Sequence, residues 1–90
     1  MSDLDRVKRD IAELATRPKS VRFEEIERIV NQLQCCGFSI GARPVRHGTL
    51  YRVQDRQFSV TNHNPGASQI KARYVREFLD AMTDLGLFEE

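Results

Sequence analysis

Residues 37–61 read GFSIGARPVRHGTLYRVQDRQFSVT, and this stretch decides the fold. Before Gly37 the apolar residues recur every three or four positions, whereas beyond it the period shortens toward two. Phe38 to Ala42 reads as a short first strand, Arg43 and Pro44 as a turn, and His47 to Val53 as a second strand. A tight connection at Asp55 and Arg56 leads into Gln57 to Thr61, where Phe58 and Val60 share a face. Three short strands in succession imply an antiparallel meander. A two-residue turn at Asp55-Arg56 would pair Arg52 with Ser59, Leu50 with Thr61 and Gly48 with His63.

Helices flank this meander. Phe23, Ile26, Val30 and Leu33 line one face of a helix that begins near Arg22 or Phe23, carries Glu24 and Glu25 in its first turn and ends at Gly37 as a left-handed cap. After the loop Asn62 to Ser68, with its Asn-Pro-Gly, a last helix runs from about Lys71 to Asp84 and buries Tyr74, Val75, Phe78, Leu79 and Met82; Gly86 ends it. The order is αβββα. Both helices are expected on one face of a three-stranded antiparallel sheet, an α+β sandwich of the double-stranded-RNA-binding-domain (dsRBD) type. Upstream, Leu4, Val7, Ile11 and Leu14 form an amphipathic helix that Pro18 breaks. Residues 1–19 therefore read as an N-terminal helical extension and 20–90 as the domain. So short a helix is marginal alone and should dock on its own domain or self-associate.

Charge is concentrated rather than large. Gly41 to Arg76 holds seven basic residues (Arg43, Arg46, Arg52, Arg56, Lys71, Arg73, Arg76) against Asp55 alone, and also both histidines, His47 and His63. The remainder has seven basic residues and twelve acids, so a local +6 is offset by −5 and the net is only +1. A local positive field attracts polyanions even on a near-neutral chain, and nucleic acid is the natural partner. Ninety residues make one small domain with little room for a deep substrate cavity. No apolar run reaches membrane-spanning length and no signal-peptide pattern opens the chain, so the cytoplasm is the default compartment and no membrane partner is expected. The adjacent Cys35 and Cys36 lack zinc or C-x-x-C spacing and read as reduced structural thiols. Two histidines with no acid nearby except Asp55 make no metal ligand set, and no phosphate-cradling Gly-rich loop or Ser-His-acid arrangement is present; no cofactor is expected.

Ser20-Val21-Arg22-Phe23-Glu24-Glu25-Ile26, Cys36-Gly37-Phe38, the histidine-bearing strand and Lys71-Ala72-Arg73-Tyr74-Val75-Arg76-Glu77-Phe78-Leu79 together resemble the HicA toxins over about residues 20–82. The resemblance implies a dsRBD-like endoribonuclease, the mRNA-cleaving toxin of a type II toxin–antitoxin pair, neutralised by a HicB-like antitoxin. Its central motif is a Gly-Ser-His-His-like run whose first histidine is catalytic. An ungapped count from Gly37-Phe38 places that histidine at His47, with Val45-Arg46 in the Gly-Ser places, Gly48 in the second His place and Leu50 where an aromatic usually sits. Aligning Tyr51 with the aromatic instead puts Gly48 on the catalytic position, and a shift of one residue in a strand turns a side chain to the other face. Cleavage without a metal needs a base near neutral pKa for the 2′-OH proton and cations for the phosphorane. His47 would be the base, His63 a candidate acid, and Arg46, Arg52, Lys71 and Arg73 the RNA-binding cations. The alternative is a catalytically silent dsRBD-like module that binds RNA or protein through the same face.

Overall fold

The computed structural model describes residues 3–46, 48–61 and 70–89. Its elements are α1 (Asp3–Ala15), α2 (Phe23–Cys35), β1 (Ile40–Val45), β2 (Gly48–Val53), β3 (Arg56–Thr61) and α3 (Ala72–Asp84). The strands form one antiparallel sheet in the order β1-β2-β3. This is the α-β-β-β-α order expected, preceded by a helix.

Alternation along the strands separates two sheet faces. Tyr51 and Val53 on β2 and Phe58 and Val60 on β3 are buried, joined in one core with Ile26, Val30 and Leu33 of α2 and Val75, Phe78 and Met82 of α3. Both helices therefore cover the same face. Phe58 meets Phe78 edge-on at 5.2 Å between ring centroids and Tyr51 at 5.6 Å, which ties α3 to the middle of the sheet. The opposite face, with Leu50, Arg52, Gln57 and Ser59, carries no helix among the described residues.

Helix ends follow from glycine. Gly37 (φ 96°) and Gly86 (φ 76°) occupy the left-handed region that ordinary residues avoid. In each case the next residue donates back into the helix, Phe38 N–H to the Leu33 carbonyl at 3.1 Å and Leu87 N–H to that of Met82 at 2.8 Å. The chain is thereby turned out of α2 toward β1. At the other end of the same layer, Ile70 N–H donates to the Val21 carbonyl at 2.8 Å and links the entries to α3 and α2.

Both turns of the meander differ from the sequence expectation. β1 extends through Arg43 and Pro44 to Val45, which pairs with Gly48, so Arg46 rather than Arg43-Pro44 opens the connection. Proline is tolerated there because β1 is an edge strand. A two-residue connection makes Val45 and Gly48 a hydrogen-bonded pair, which leaves the nitrogen of Pro44 facing outward, where no donor is needed and further strand pairing is discouraged. The second turn is Gln54-Asp55, with Val53 opposite Arg56. Gln54 adopts φ 57° without being glycine. Two bonds to Ser39 hold it: Gln54 N–H donates to the Ser39 carbonyl at 2.8 Å, and Ser39 N–H donates to Gln54 Oε1 at 2.8 Å. The whole β2–β3 register is displaced by two residues from the expected one, with Arg52 opposite Gln57, Leu50 opposite Ser59 and Gly48 opposite Thr61.

The N-terminal helix docks on its own chain. Val7, Ile11 and Leu14 are each at most 1% exposed and belong to the common core, so the apolar stripe that could have driven self-association is already covered. A single side chain locks α1 to α2. All five N–H donors of Arg17 are used, on both carboxylate oxygens of Glu13 (2.9 and 2.8 Å), both of Glu25 (3.0 and 2.7 Å) and the Ser20 carbonyl (2.9 Å). Glu25 also accepts the Arg22 N–H at 3.0 Å, capping α2. The Arg17 hydrogen bonds hold the carboxyls of Glu13 and Glu25 below their ordinary range. No helix among the described residues is long and apolar enough to cross a membrane.

A carboxylate whose pKa is depressed by folding stabilises the fold above its unfolded pKa, and that contribution disappears as pH falls through the folded value. Arg17→Met is therefore expected to lower the melting temperature by a few degrees at neutral pH, with the gap to wild type closing below the ordinary carboxylate range. Thermal scans from pH 7 to pH 3 check both halves.

Candidate nucleic-acid interface

Exposed arginines of the meander fall on the uncovered sheet face or at its hairpin end. Arg43 and Arg52 lie on the open face, since Arg43 is paired with Leu50 and Arg52 with Gly41 and Gln57, and paired residues share a face. Arg46 sits at the β1–β2 connection. Lys71 is the N-cap of α3, with no acid in the first turn of that helix to offset its charge or the positive end of the helix dipole. Among the described residues none of Arg43, Arg46, Arg52 and Lys71 enters an ion pair. Arg73 is held in place: its Cζ lies 4.8 Å from the Tyr74 ring centroid and its Nη2 donates to the Tyr74 hydroxyl at 2.9 Å.

These cations do not make one cluster. Helix α3 runs back along β3, bringing Glu77 near Ser59 (3.4 Å) and Asp84 near Arg56 (3.6 Å), so its first turn lies toward the end of the sheet that holds Thr61, Gly48 and Arg46. Arg46, Lys71 and Arg73 thus share one end. Arg52 is four residues farther along β2 than Gly48, roughly 13 Å at strand rise, and belongs with Arg43 instead.

Nor is the segment from Gly41 to Arg76 one basic face. Arg56 is paired with Asp84 and Asp55 (3.6 and 3.8 Å), and Arg76 with Asp80 at 3.3 Å. The groove between the sheet and α3 is lined by four carboxylates, Asp55, Glu77, Asp80 and Asp84, against Arg56 alone. On the β1 side of Leu50 and Gln57 a second groove, about 320 Å³, holds Arg43 and Arg52 and no acid. The open face is therefore divided, acidic along α3 and basic along β1.

The two histidines of the sequence reading, His47 and His63, lie outside the described residues. The register still bears on them, because Gly48 is opposite Thr61 rather than His63, and the cross-strand approach expected of His63 loses its basis. Gly48 is on the open face, in line with Leu50 and Arg52, whereas Tyr51 is buried beneath the helices with its hydroxyl pKa pushed up by burial and, less, by Glu27. Tyr74 and Val75 are core residues, as their helical spacing implies. Arg43 was left out of the RNA-binding set because the Arg43-Pro44 pair reads as a turn. An edge strand with proline at an outward nitrogen would have revealed its place on the open face.

Comparison with protein-family models, with curated proteins and with solved structures gives no match to this chain.

Cations already paired should matter little to a polyanion, and unpaired ones should matter most. On a heparin column, Arg46→Gln and Arg52→Gln are expected to elute at clearly lower salt than wild type, and Arg56→Gln and Arg76→Gln close to it. Equal shifts for all four would show that only total charge counts.

Proposed function

We propose that the chain is a small, metal-independent endoribonuclease of the HicA-toxin kind, which holds mRNA on the uncovered sheet face and is silenced when a HicB-like antitoxin covers that face. The observation that carries this reading is the set of exposed cations on and beside that face, Arg43, Arg46, Arg52 and Lys71, which enter no ion pair among the described residues. The α-β-β-β-α order agrees with the resemblance of residues 20–82 to that family. In the proposed reaction His47, next to Arg46 in sequence, removes the 2′-OH proton. The oxygen then attacks the adjacent phosphorus, the P–O5′ bond breaks, and nearby guanidinium and ammonium groups offset the charge on the phosphorane. The departing O5′ takes a proton from water, because the register that made His63 a candidate acid does not hold.

One observation favours a second reading. Gly48 occupies the open face in register with Val45 and Thr61. If the family's catalytic position falls there, no imidazole stands on it and the chain is an RNA- or protein-binding module without activity.

Incubation with RNA in EDTA separates the two. The nuclease reading expects cleavage that survives the chelator and leaves 2′,3′-cyclic phosphate ends, with His47→Ala reducing the rate at least about a hundredfold, the size of a general-base contribution, at unchanged circular dichroism. Full cleavage by folded His47→Ala would remove the assignment. RNA that binds wild type and stays intact would establish the silent module.

A further inference from the structure

The groove on the β1 side of the open face is a candidate ligand site that the family resemblance does not assign. Arg43 and Arg52 are diagonal neighbours across the β1–β2 pair, about 7–8 Å apart in such a geometry, close enough for both guanidiniums to reach one anion. Neither has a carboxylate partner among the described residues, and no acid lines the groove. Two like charges side by side on a sheet repel each other unless something negative lies between them. Gly41 lies directly opposite Arg52 and is the next residue on the same face of β1 from Arg43. It has no side chain to occupy the space, and a methyl group placed there would lie 3.8 Å from Arg52 Cβ, in ordinary contact. The Gln57 amide and the Ser39 hydroxyl add neutral donors, and Leu50 supplies an apolar wall.

We infer that Arg43 and Arg52, beside the bare backbone of Gly41, form a phosphate subsite that takes a phosphodiester of single-stranded RNA. This inference rests on the RNA-binding reading above and specifies where the strand runs: from the Arg46 end along β1 and β2, away from α3. The carboxylates of the α3 groove enforce that path, because a phosphate moved across Leu50 would leave two guanidiniums for Asp55, Glu77, Asp80 and Asp84. Planar, five-donor arginines suit a phosphate better than lysines would, and the Leu50 wall suits the ribose or base that accompanies it.

The test is a titration of the ¹⁵N-labelled full chain with a single-stranded dodecaribonucleotide, at several salt concentrations, for wild type, Gly41→Val and Arg43→Gln. Gly41→Val fills the groove without removing charge, and valine is at home in a strand. Expected are amide shifts at Gly41, Arg43, Leu50 and Arg52 in wild type and about tenfold weaker binding by Gly41→Val. Arg43→Gln should also flatten the log–log salt slope by about 0.7, one phosphate contact on a single strand. RNA that binds through Arg46 and Lys71 while the groove amides stay still, with Gly41→Val at wild-type affinity, would overturn the subsite and leave the RNA reading intact. RNA that perturbs no residue would overturn both. Groove shifts with an oligoglutamate peptide and none with RNA would overturn the phosphate assignment.

Discussion

The edge-on contact of Phe58 with Phe78 is the constraint from which the arrangement of this molecule follows. It fixes α3 along β3 on one side of the sheet, and with Tyr51 completing the aromatic row it leaves only that side available for α2. A strand has two faces, so burying Tyr51, Val53, Phe58 and Val60 exposes Leu50, Arg52, Gln57 and Ser59. The location of the charged surface is thus a consequence of aromatic packing. Replacing either ring by a small side chain would open a cavity of the kind that costs about 3–5 kcal/mol, a large fraction of the stability of a domain this size.

The same contact explains why the charge divides. Because α3 lies against β3 in the opposite direction, its exposed acids, Glu77, Asp80 and Asp84, are delivered to the β3 side of the open face, where Arg56 and Arg76 are spent on ion pairs. On the β1 side no acid among the described residues lines the groove of Arg43 and Arg52. Of the seven basic residues counted along the sequence, five fall into two separate areas, one on the sheet and one at the Arg46–Lys71 end. Such a pattern orients a polyanion as well as attracting it.

Much of the fold is legible in the sequence because it rests on local rules. Gly37 and Gly86 announce helix ends through a conformation that other residues avoid, and the spacing of Phe23 to Leu33 and of Tyr74 to Met82 gives both core helices to within a residue or two. The strand register is less legible. Gln54 carries a positive φ with no glycine or asparagine to mark it, stabilised by Ser39 fifteen positions away, so the turn is misplaced and every β2–β3 pair moves with it. Pro44 likewise signals a turn unless the strand is known to be an edge. The docking of α1 rests on Val7, Ile11 and Leu14, whose spacing is legible, whereas the Arg17–Glu25 contact that fastens it to α2 from eight residues away is invisible to periodicity. For the site, Arg46, Arg52, Lys71 and Arg73 are readable as exposed cations, whereas the partnership of Arg43 with Arg52 beside Gly41 emerges only once the register is known.

The central claim is that RNA lies on the basic, β1 side of the uncovered sheet face. Ultraviolet cross-linking of the intact protein to single-stranded RNA, followed by mass-spectrometric mapping, tests it most directly. The expected result is cross-linked peptides covering residues 41–52, with none confined to residues 77–84 or to the α1–α2 layer. Cross-links found only along α3 beyond Arg76, or only on α1 and α2, would contradict it.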